Sequence, residues 1–187
     1  FASFMGLPLP FTALQYLWIN LTTDGLPAMA LGVDPAEPDV MRRPPRDPRE
    51  SIATRRDIIL FLTFIPLVTT LAILMNFVEG LEAEPLVRAR TRIFTLMILI
   101  ELLIALSFRS LKYSALRVGI LRNKFLILAI ISSFLLQLCI LYTPALHRPF
   151  RITYPSIQDW TFGLMSALVV FVSIEIVKEV ASAIAKR

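Results

Sequence analysis

The chain has 187 residues, 56% of which are hydrophobic, and its mean hydropathy of +0.70 excludes an ordinary soluble domain. Its formal net charge of +5 does not indicate nucleic-acid binding, because the basic residues lie between apolar stretches rather than on one folded face. A single cysteine, Cys139, and a single histidine, His147, exclude a disulfide framework, a thiolate metal cluster and a histidine dyad.

The apolar pattern predicts an all-α membrane protein, a single domain over residues 1–187 that forms a bundle of five transmembrane helices. A helix needs about 20 consecutive apolar residues to cross a bilayer. Five stretches approach that length, the first of them broken near its middle: residues 11–33, 57–78, 92–109, 124–143 and 160–179. Because the chain starts at Phe1 and no signal pattern follows, we expect it to be a piece of a longer protein.

The distribution of basic residues predicts the orientation of these spans. Six Lys and Arg residues lie in the loop 34–56, five in the segment 109–124 and three at the C-terminal end, against five on the other side. Because loops rich in Lys and Arg stay in the cytoplasm, we expect the N-terminus outside and the C-terminus in the cytoplasm. Arg92 and Arg109, at the two ends of the short third span, are expected to snorkel toward water.

The first span carries polar residues and helix breakers at membrane depth, in the run WINLTTDGLP. Asn20, Thr23 and Asp24 stand at i, i+3 and i+4, so an α-helix would place them on one face. Pro27 cannot donate to the carbonyl of Thr23, and Gly25 loosens the backbone beside it. Polar groups at this depth are tolerated only where something satisfies them, and a bound cation would do so.

The residue types in this break favour a hard cation. Oxygen ligands without thiolate or imidazole suit Ca²⁺, Na⁺, K⁺ or Mg²⁺ and disfavour copper and zinc. Glu101, near the middle of the third span, adds a second carboxylate, and together with Asn20, Thr23 and Asp24 it offers at most six oxygens. Since Ca²⁺ takes 6–8 oxygens, these side chains could barely complete one Ca²⁺ and cannot complete two, so we expect part of such a site to lie outside this chain. The alternatives are a protonated or ion-paired Asp24 against a neighbouring helix and a protonated Glu101 hydrogen-bonded between helices.

Other polar residues of the spans predict structural contacts. Asn76 and Gln137 are expected to form hydrogen bonds between helices. Glu175, Lys178 and Glu179 lie at helical spacing near the cytoplasmic boundary and predict a solvated or ion-paired helix end. The loop DPAEPDVMRRPPRDPRE, with five prolines, predicts an extended strap that is either a solvated connector or a docking surface for a cytoplasmic domain.

These residues resemble those of a known family. The run LQYLWINLTTDGLPAMALGVDPAEPDVMRRPPRDPRE is similar to the sixth transmembrane helix and following loop of type II P-type ATPases, with the calcium-pump branch closest. FASFMGLPLPF resembles the end of the fifth helix, IELLIALSFRSL the eighth helix and SIEIVKEVA the end of the tenth. The resemblance covers nearly the whole chain and implies the C-terminal transmembrane domain of such a pump, helices six to ten.

The resemblance also implies roles for individual residues. Asn20, Thr23 and Asp24 correspond to the family's helix-six cation ligands, with Asp24 shared between two calcium sites, and Glu101 corresponds to a helix-eight ligand. The remaining ligands come from helices four and five, which this chain does not contain. In the loop after helix six, the family's acidic cluster is represented by Glu37 and Asp39, with Arg42 where a third acid is common.

The expected partners are the lipid bilayer and the N-terminal portion of the same pump, with no nucleic acid. The phosphorylated-aspartate motif, the nucleotide pocket and the actuator domain are absent from the chain, so ATP and Mg²⁺ would act only through the missing domains. The chain alone is therefore not expected to hydrolyse ATP or to pump. The outer loop 79–91 lacks a cysteine pair, which favours a pump of prokaryotic type in a prokaryotic cell membrane.

The leading hypothesis for function is translocation of Ca²⁺ by an ATP-driven pump, with oxygen ligands on the first and third spans. The nearest alternative is a P-type pump for another cation, such as Na⁺, Mn²⁺ or K⁺. A different class of function, a passive channel or an accessory membrane subunit without an ATPase, is also compatible with these spans. A phosphorylation motif upstream of Phe1 would separate the two classes.

Overall fold

A computed structural model describes residues 2–36, 41, 58–110 and 113–184 of the chain. Within these residues all regular elements are helical and no strand occurs. The predicted coupling residues Glu37, Asp39 and Arg42 lie outside the described residues.

The α-helices are α1 (Ala13–Ile19), α2 (Leu26–Leu31), α3 (Ile65–Ala83), α4 (Leu86–Ser107), α5 (Ala115–Val118), α6 (Lys124–Tyr142), α7 (Pro144–Phe150) and α8 (Ile157–Ile184). Two π-helical segments, Asn20–Gly25 and Ile58–Phe64, and two 3₁₀ turns, Ala2–Met5 and Ile120–Arg122, complete the described elements.

Three of the described helical stretches are long and apolar enough to cross a membrane: Leu62–Ala83, Lys124–Tyr142 and Ile157–Ala181. They overlap the second, fourth and fifth predicted spans. Helix α4 has 22 residues and overlaps the third predicted span, but it also carries several charged residues, among them Arg88, Arg90, Arg92 and Glu101. The first predicted span is divided between α1, the π-helical segment Asn20–Gly25 and α2.

Helix α4 lies at the centre of the fold. Its Ile93, Phe94 and Ile98 side chains are fully buried, and the helix packs most extensively against α8 and then against α3. A small residue permits the contact with α3, since a Cβ added at Gly80 would lie only 3.2 Å from the Cβ of Ala89. Glu101 is therefore carried by the most firmly packed helix of the bundle.

A buried polar cluster joins α8 to the end of α4. Glu175 and Lys178 are both buried and ion-paired, so the predicted ion-paired helix end is confirmed for these two residues and the solvated alternative is wrong. The Glu175 carboxylate accepts hydrogen bonds from the Ser107 hydroxyl at 2.5 Å and from the backbone N–H of Ala115 at 2.6 Å. Lys178 donates to the Ser107 carbonyl and lies 3.5 Å from the Glu175 carboxylate. A buried charge is tolerated here because each is paired and hydrogen-bonded.

Arg109 forms a buried ion pair with Asp34, which follows α2. Its guanidinium donates to the two carboxylate oxygens of Asp34 at 2.9 and 3.0 Å, the bidentate geometry of the stronger ion pairs. Arg92 is buried as well and lies 3.1 Å from the Glu79 carboxylate. The prediction that Arg109 snorkels is therefore wrong, because packing brings the largely buried Asp34 carboxylate to its guanidinium. The partner of Arg92, Glu79, is 59% exposed, so this pair reaches the protein surface and snorkelling of Arg92 stays a prediction.

We expect the Arg109–Asp34 pair to stabilise the fold. Arg109→Leu leaves the Asp34 carboxylate without its partner and should lower the free energy of unfolding by about 3–5 kcal/mol. The matched control is Arg117→Leu, because Arg117 and Glu179 are both about half-exposed and 3.7 Å apart; its loss should be about 0–1 kcal/mol. Chemical unfolding in detergent measures both, and equal losses would contradict the prediction.

Candidate ion-binding site

The first predicted span changes its helical geometry at the polar run. The segment Asn20–Gly25 is π-helical and lies between α1 and α2. Thr22 and Thr23 donate their hydroxyl hydrogens back to the carbonyls of Trp18 and Ile19, each at 2.6 Å, which bends a helix. Pro27, two residues beyond the segment, has no N–H and crowds the turn before it. The wider π turn accommodates that crowding, and such turns are frequent at functional sites.

The π-helical register decides which carbonyl loses its donor. In an α-helix the N–H of residue 27 would bond to the carbonyl of Thr23, as predicted, whereas in a π-helical turn its partner would be Thr22. The Thr22 carbonyl accepts a buried hydrogen bond from the Ser133 hydroxyl of α6 at 2.6 Å. The Thr22 carbonyl is therefore satisfied by a side chain of another helix, a contact that the sequence did not indicate.

Helix α6 holds the broken span at three levels through side-chain hydrogen bonds. Besides Ser133, Gln137 accepts from the Trp18 indole N–H at 2.9 Å, and Asn123, the N-cap residue just before α6, donates to the Ala30 carbonyl at 2.9 Å. The prediction of an interhelical role for Gln137 is thus confirmed. The role of Ser133 was missed, although Ser133 and Gln137 lie at i and i+4 and so share one face of α6.

Asn76 supplies a second interhelical contact that the sequence predicted. Its side-chain amide donates to the hydroxyl of Ser166 on α8 at 3.1 Å and to the Ala72 carbonyl of its own helix at 2.8 Å. The prediction for Asn76 is therefore confirmed, and α3 is joined to α8 near the end of the bundle opposite Glu175.

Thr23 and Glu101 are in direct contact, which joins the broken span to α4. The Thr23 hydroxyl is hydrogen-bonded to the Glu101 carboxyl group; Thr23 is buried and Glu101 is half-buried. A hydroxyl has a single hydrogen to donate. When Thr23 gives it to the Ile19 carbonyl, the contact needs a proton on Glu101, and when Glu101 is ionised, Thr23 donates to the carboxylate. The pair therefore has two arrangements that differ by one proton.

A cavity of about 510 Å³ lies between the π-helical segment, α3 and α4. Thr23, Asp24 and Glu101 all line it, so the structure brings three of the four predicted ligands to one space. Asn20 is exposed and is not among the lining residues, because the α-helical spacing that predicted a shared face does not continue through a π turn. Pro27 also lines the cavity.

The chemistry of this cavity suits a cation whose other ligands come from elsewhere. The two carboxyl groups, Asp24 and Glu101, lie among apolar side chains such as Ile65 and Ile104, where a negative charge needs compensation. Across the described part of the chain no group of three or more His, Cys, Asp or Glu could hold a metal ion. A cation bound here would therefore depend on two carboxylates and on neutral oxygens.

Comparisons with known proteins point to one family. The family model "Cation transporting ATPase, C-terminus" matches residues 8–180. "Calcium-transporting ATPase 1" of Bacillus cereus is 31% identical over 194 residues, covering 95% of this chain and 22% of that protein. "Calcium-transporting ATPase" of Bacillus subtilis is 38% identical, covering 91% and 19%, and human "Calcium-transporting ATPase type 2C member 1" is 35% identical, covering 96% and 20%. The chain thus spans about a fifth of the length of these relatives.

We expect Ser133 to stabilise the broken span. Ser133→Ala removes the donor to the buried Thr22 carbonyl and should lower the free energy of unfolding by about 1–3 kcal/mol. Ser173→Ala is the control, since that hydroxyl is exposed and bonds only to the Val169 carbonyl of its own helix; its effect should stay within about 0.5 kcal/mol. Unfolding of both variants in detergent tests this, and a Ser133→Ala protein as stable as the control would refute it.

Proposed function

This chain belongs to the family of cation-transporting ATPase C-termini, and from that membership we propose that it is the membrane part of an ATP-driven pump that transports Ca²⁺. The relatives named as calcium-transporting ATPases support Ca²⁺ as the transported ion. The single structural observation that carries the proposal is the cavity where Asp24 and Glu101 lie together at a helix break. ATP and Mg²⁺ would act on domains outside this chain.

Asp24, Thr23 and Glu101 are the proposed ligands that this chain supplies from within the cavity, and Asn20 is a proposed ligand from the same π-helical segment. Asp24 is exposed and contacts the cavity, whereas Thr23 faces Glu101. Carboxylate and hydroxyl oxygens are the ligands that Ca²⁺ prefers. Because these residues offer at most six oxygens, the lower limit for Ca²⁺, we propose that the rest of the pump completes the site.

The geometry supports an exchange of the ion for protons at the same groups. A cation near Asp24 and Glu101 favours ionised carboxylates, and the Thr23 hydroxyl is then free to turn toward Glu101. When the ion leaves, a proton on Glu101 can be donated to Thr23, which keeps its own bond to the Ile19 carbonyl. The Glu101 carboxyl group is thus not left charged and unpaired in an apolar cavity, which would be costly, while Asp24 is exposed and would take its proton from water.

The proposed architecture has five spans with the first one broken. Helix α4 would be the third span, with its arginines toward the outer surface and Glu101 near mid-membrane. The N-terminus of the chain would then lie outside and the C-terminus in the cytoplasm, as the distribution of Lys and Arg predicts. The loop with Glu37, Asp39 and Arg42 would face the cytoplasmic domains and couple them to the ion site.

The first test of this function is a substitution at Asp24. In the full-length protein, Asp24→Asn removes the negative charge of the ligand and should abolish Ca²⁺-dependent phosphorylation by ATP. Glu82→Gln, an exposed acid at the end of α3, is the control and should retain it. Unchanged Ca²⁺ dependence in Asp24→Asn would refute the ligand role.

A second test addresses orientation. In a background without other cysteines, which includes Cys139→Ser, a cysteine replaces either Leu121, which is 76% exposed, or the exposed Glu82. A membrane-impermeant maleimide should label Glu82→Cys in intact cells and label Leu121→Cys only after permeabilisation. The opposite pattern, or equal labelling of both variants in intact cells, would contradict the proposed topology.

A further inference from the structure

The start of the second predicted span, which borders the cavity, has the same local structure as the broken span: a π-helical segment followed by a proline. The π-helical segment Ile58–Phe64 ends two residues before Pro66, just as Asn20–Gly25 ends two residues before Pro27. Both prolines line the cavity. In each helix the wider turn accommodates a proline that lacks an N–H. Two walls of the cavity are therefore built in the same way, although only the first was predicted to carry ligands.

Thr69, one turn beyond Pro66, lines the same cavity and has a buried hydroxyl oxygen without a partner among the described residues. Other helical threonines behave differently, since five of them donate to a carbonyl three or four residues earlier: Thr22, Thr23, Thr91, Thr95 and Thr161. A buried hydroxyl without a partner is uncommon in folded proteins, and a bound water or ion is one of its explanations. The position of Thr69 in the cavity wall is consistent with such a role.

The demands of a bound cation match what Thr69 can offer. Asp24 and Glu101 supply the negative charge of the cavity, but their oxygens with that of Thr23 are fewer than the 6–8 that Ca²⁺ takes. A hydroxyl adds an oxygen ligand without adding a further charge, which would be costly at membrane depth. Thr69 lies on α3, so its oxygen would approach the ion from a different wall than the other ligands.

We infer that Thr69 is a further ligand of the transported cation, binding the ion held by Asp24 and Glu101 through its hydroxyl oxygen. This inference rests on the proposed function, because it concerns the same cavity and the same ion. It extends the ligand set to the second span, which neither the composition nor the resemblance of the sequence indicated. The second span would thus take part in ion selection as well as in packing.

The test is equilibrium binding of ⁴⁵Ca²⁺ to the full-length protein in detergent without ATP, so that the readout does not depend on turnover. Thr69→Val removes the hydroxyl at nearly constant volume and should raise the Kd for Ca²⁺ at least about tenfold. Thr69→Ser keeps the hydroxyl and should bind within about twofold of the unchanged protein. Thr95→Val is the control, because Thr95 is buried on α4 and its hydroxyl already bonds to the Thr91 carbonyl.

Two results would overturn the inference and leave the proposed function standing. One is an unchanged Kd in Thr69→Val while Asp24→Asn no longer binds Ca²⁺. The other is an equal rise of Kd in Thr69→Val and Thr95→Val, which would assign the effect to helix packing. Ca²⁺ binding that survives in Asp24→Asn would instead refute the proposed function, and this inference with it. Thr69→Ala provides the second variant if valine disturbs folding.

Discussion

A backbone carbonyl inside a membrane bundle needs a hydrogen-bond donor, and Pro27 cannot supply one. The rest of the site follows from how the fold meets this requirement. The preceding turn widens into a π-helical segment, and Ser133 on α6 donates to the Thr22 carbonyl. Gln137 of α6 and Asn123, the N-cap residue of that helix, hold the two ends of the same broken span. The break is therefore a supported structure rather than a local failure of the helix.

This support gives the polar side chains a defined position. Helix α4 is the most firmly packed helix of the bundle, and it presents Glu101 to Thr23 across the interface. Asp24, the residue after Thr23, lines a cavity that is also bordered by α3, a second helix that contains a proline. At the cytoplasmic end of the proposed topology, the Arg109–Asp34 pair ties the end of α4 to the end of α2. The broken span, which carries Asp24, and helix α4, which carries Glu101, are thus joined by the Thr23–Glu101 contact in the cavity and by this ion pair at their ends.

The proposed ion site is incomplete in this chain. The chain corresponds to about a fifth of the length of its relatives, and its four proposed ligands offer at most six oxygens, the lower limit for Ca²⁺. Both observations agree with a site shared between this domain and helices that precede it in the proposed pump. In such a shared site the coordination would be complete only when both parts meet.

The sequence alone determined the helical class, the apolar spans and the polar break, because these depend on composition, on period and on the missing N–H of proline. It also indicated Asp24, Thr23 and Glu101 as neighbours through a family resemblance. Only the tertiary structure decided that Ser133 donates to the Thr22 carbonyl, that Asn20 is not among the residues lining the cavity, and that Arg92, Arg109, Glu175 and Lys178 are buried. Spacing rules assume a constant helical period and a helix exterior in contact with solvent. A π-helical turn changes the period, and packing between distant segments buries part of the exterior. The partners of a polar group inside a membrane bundle lie far away in sequence, so they cannot be derived from its neighbours along the chain.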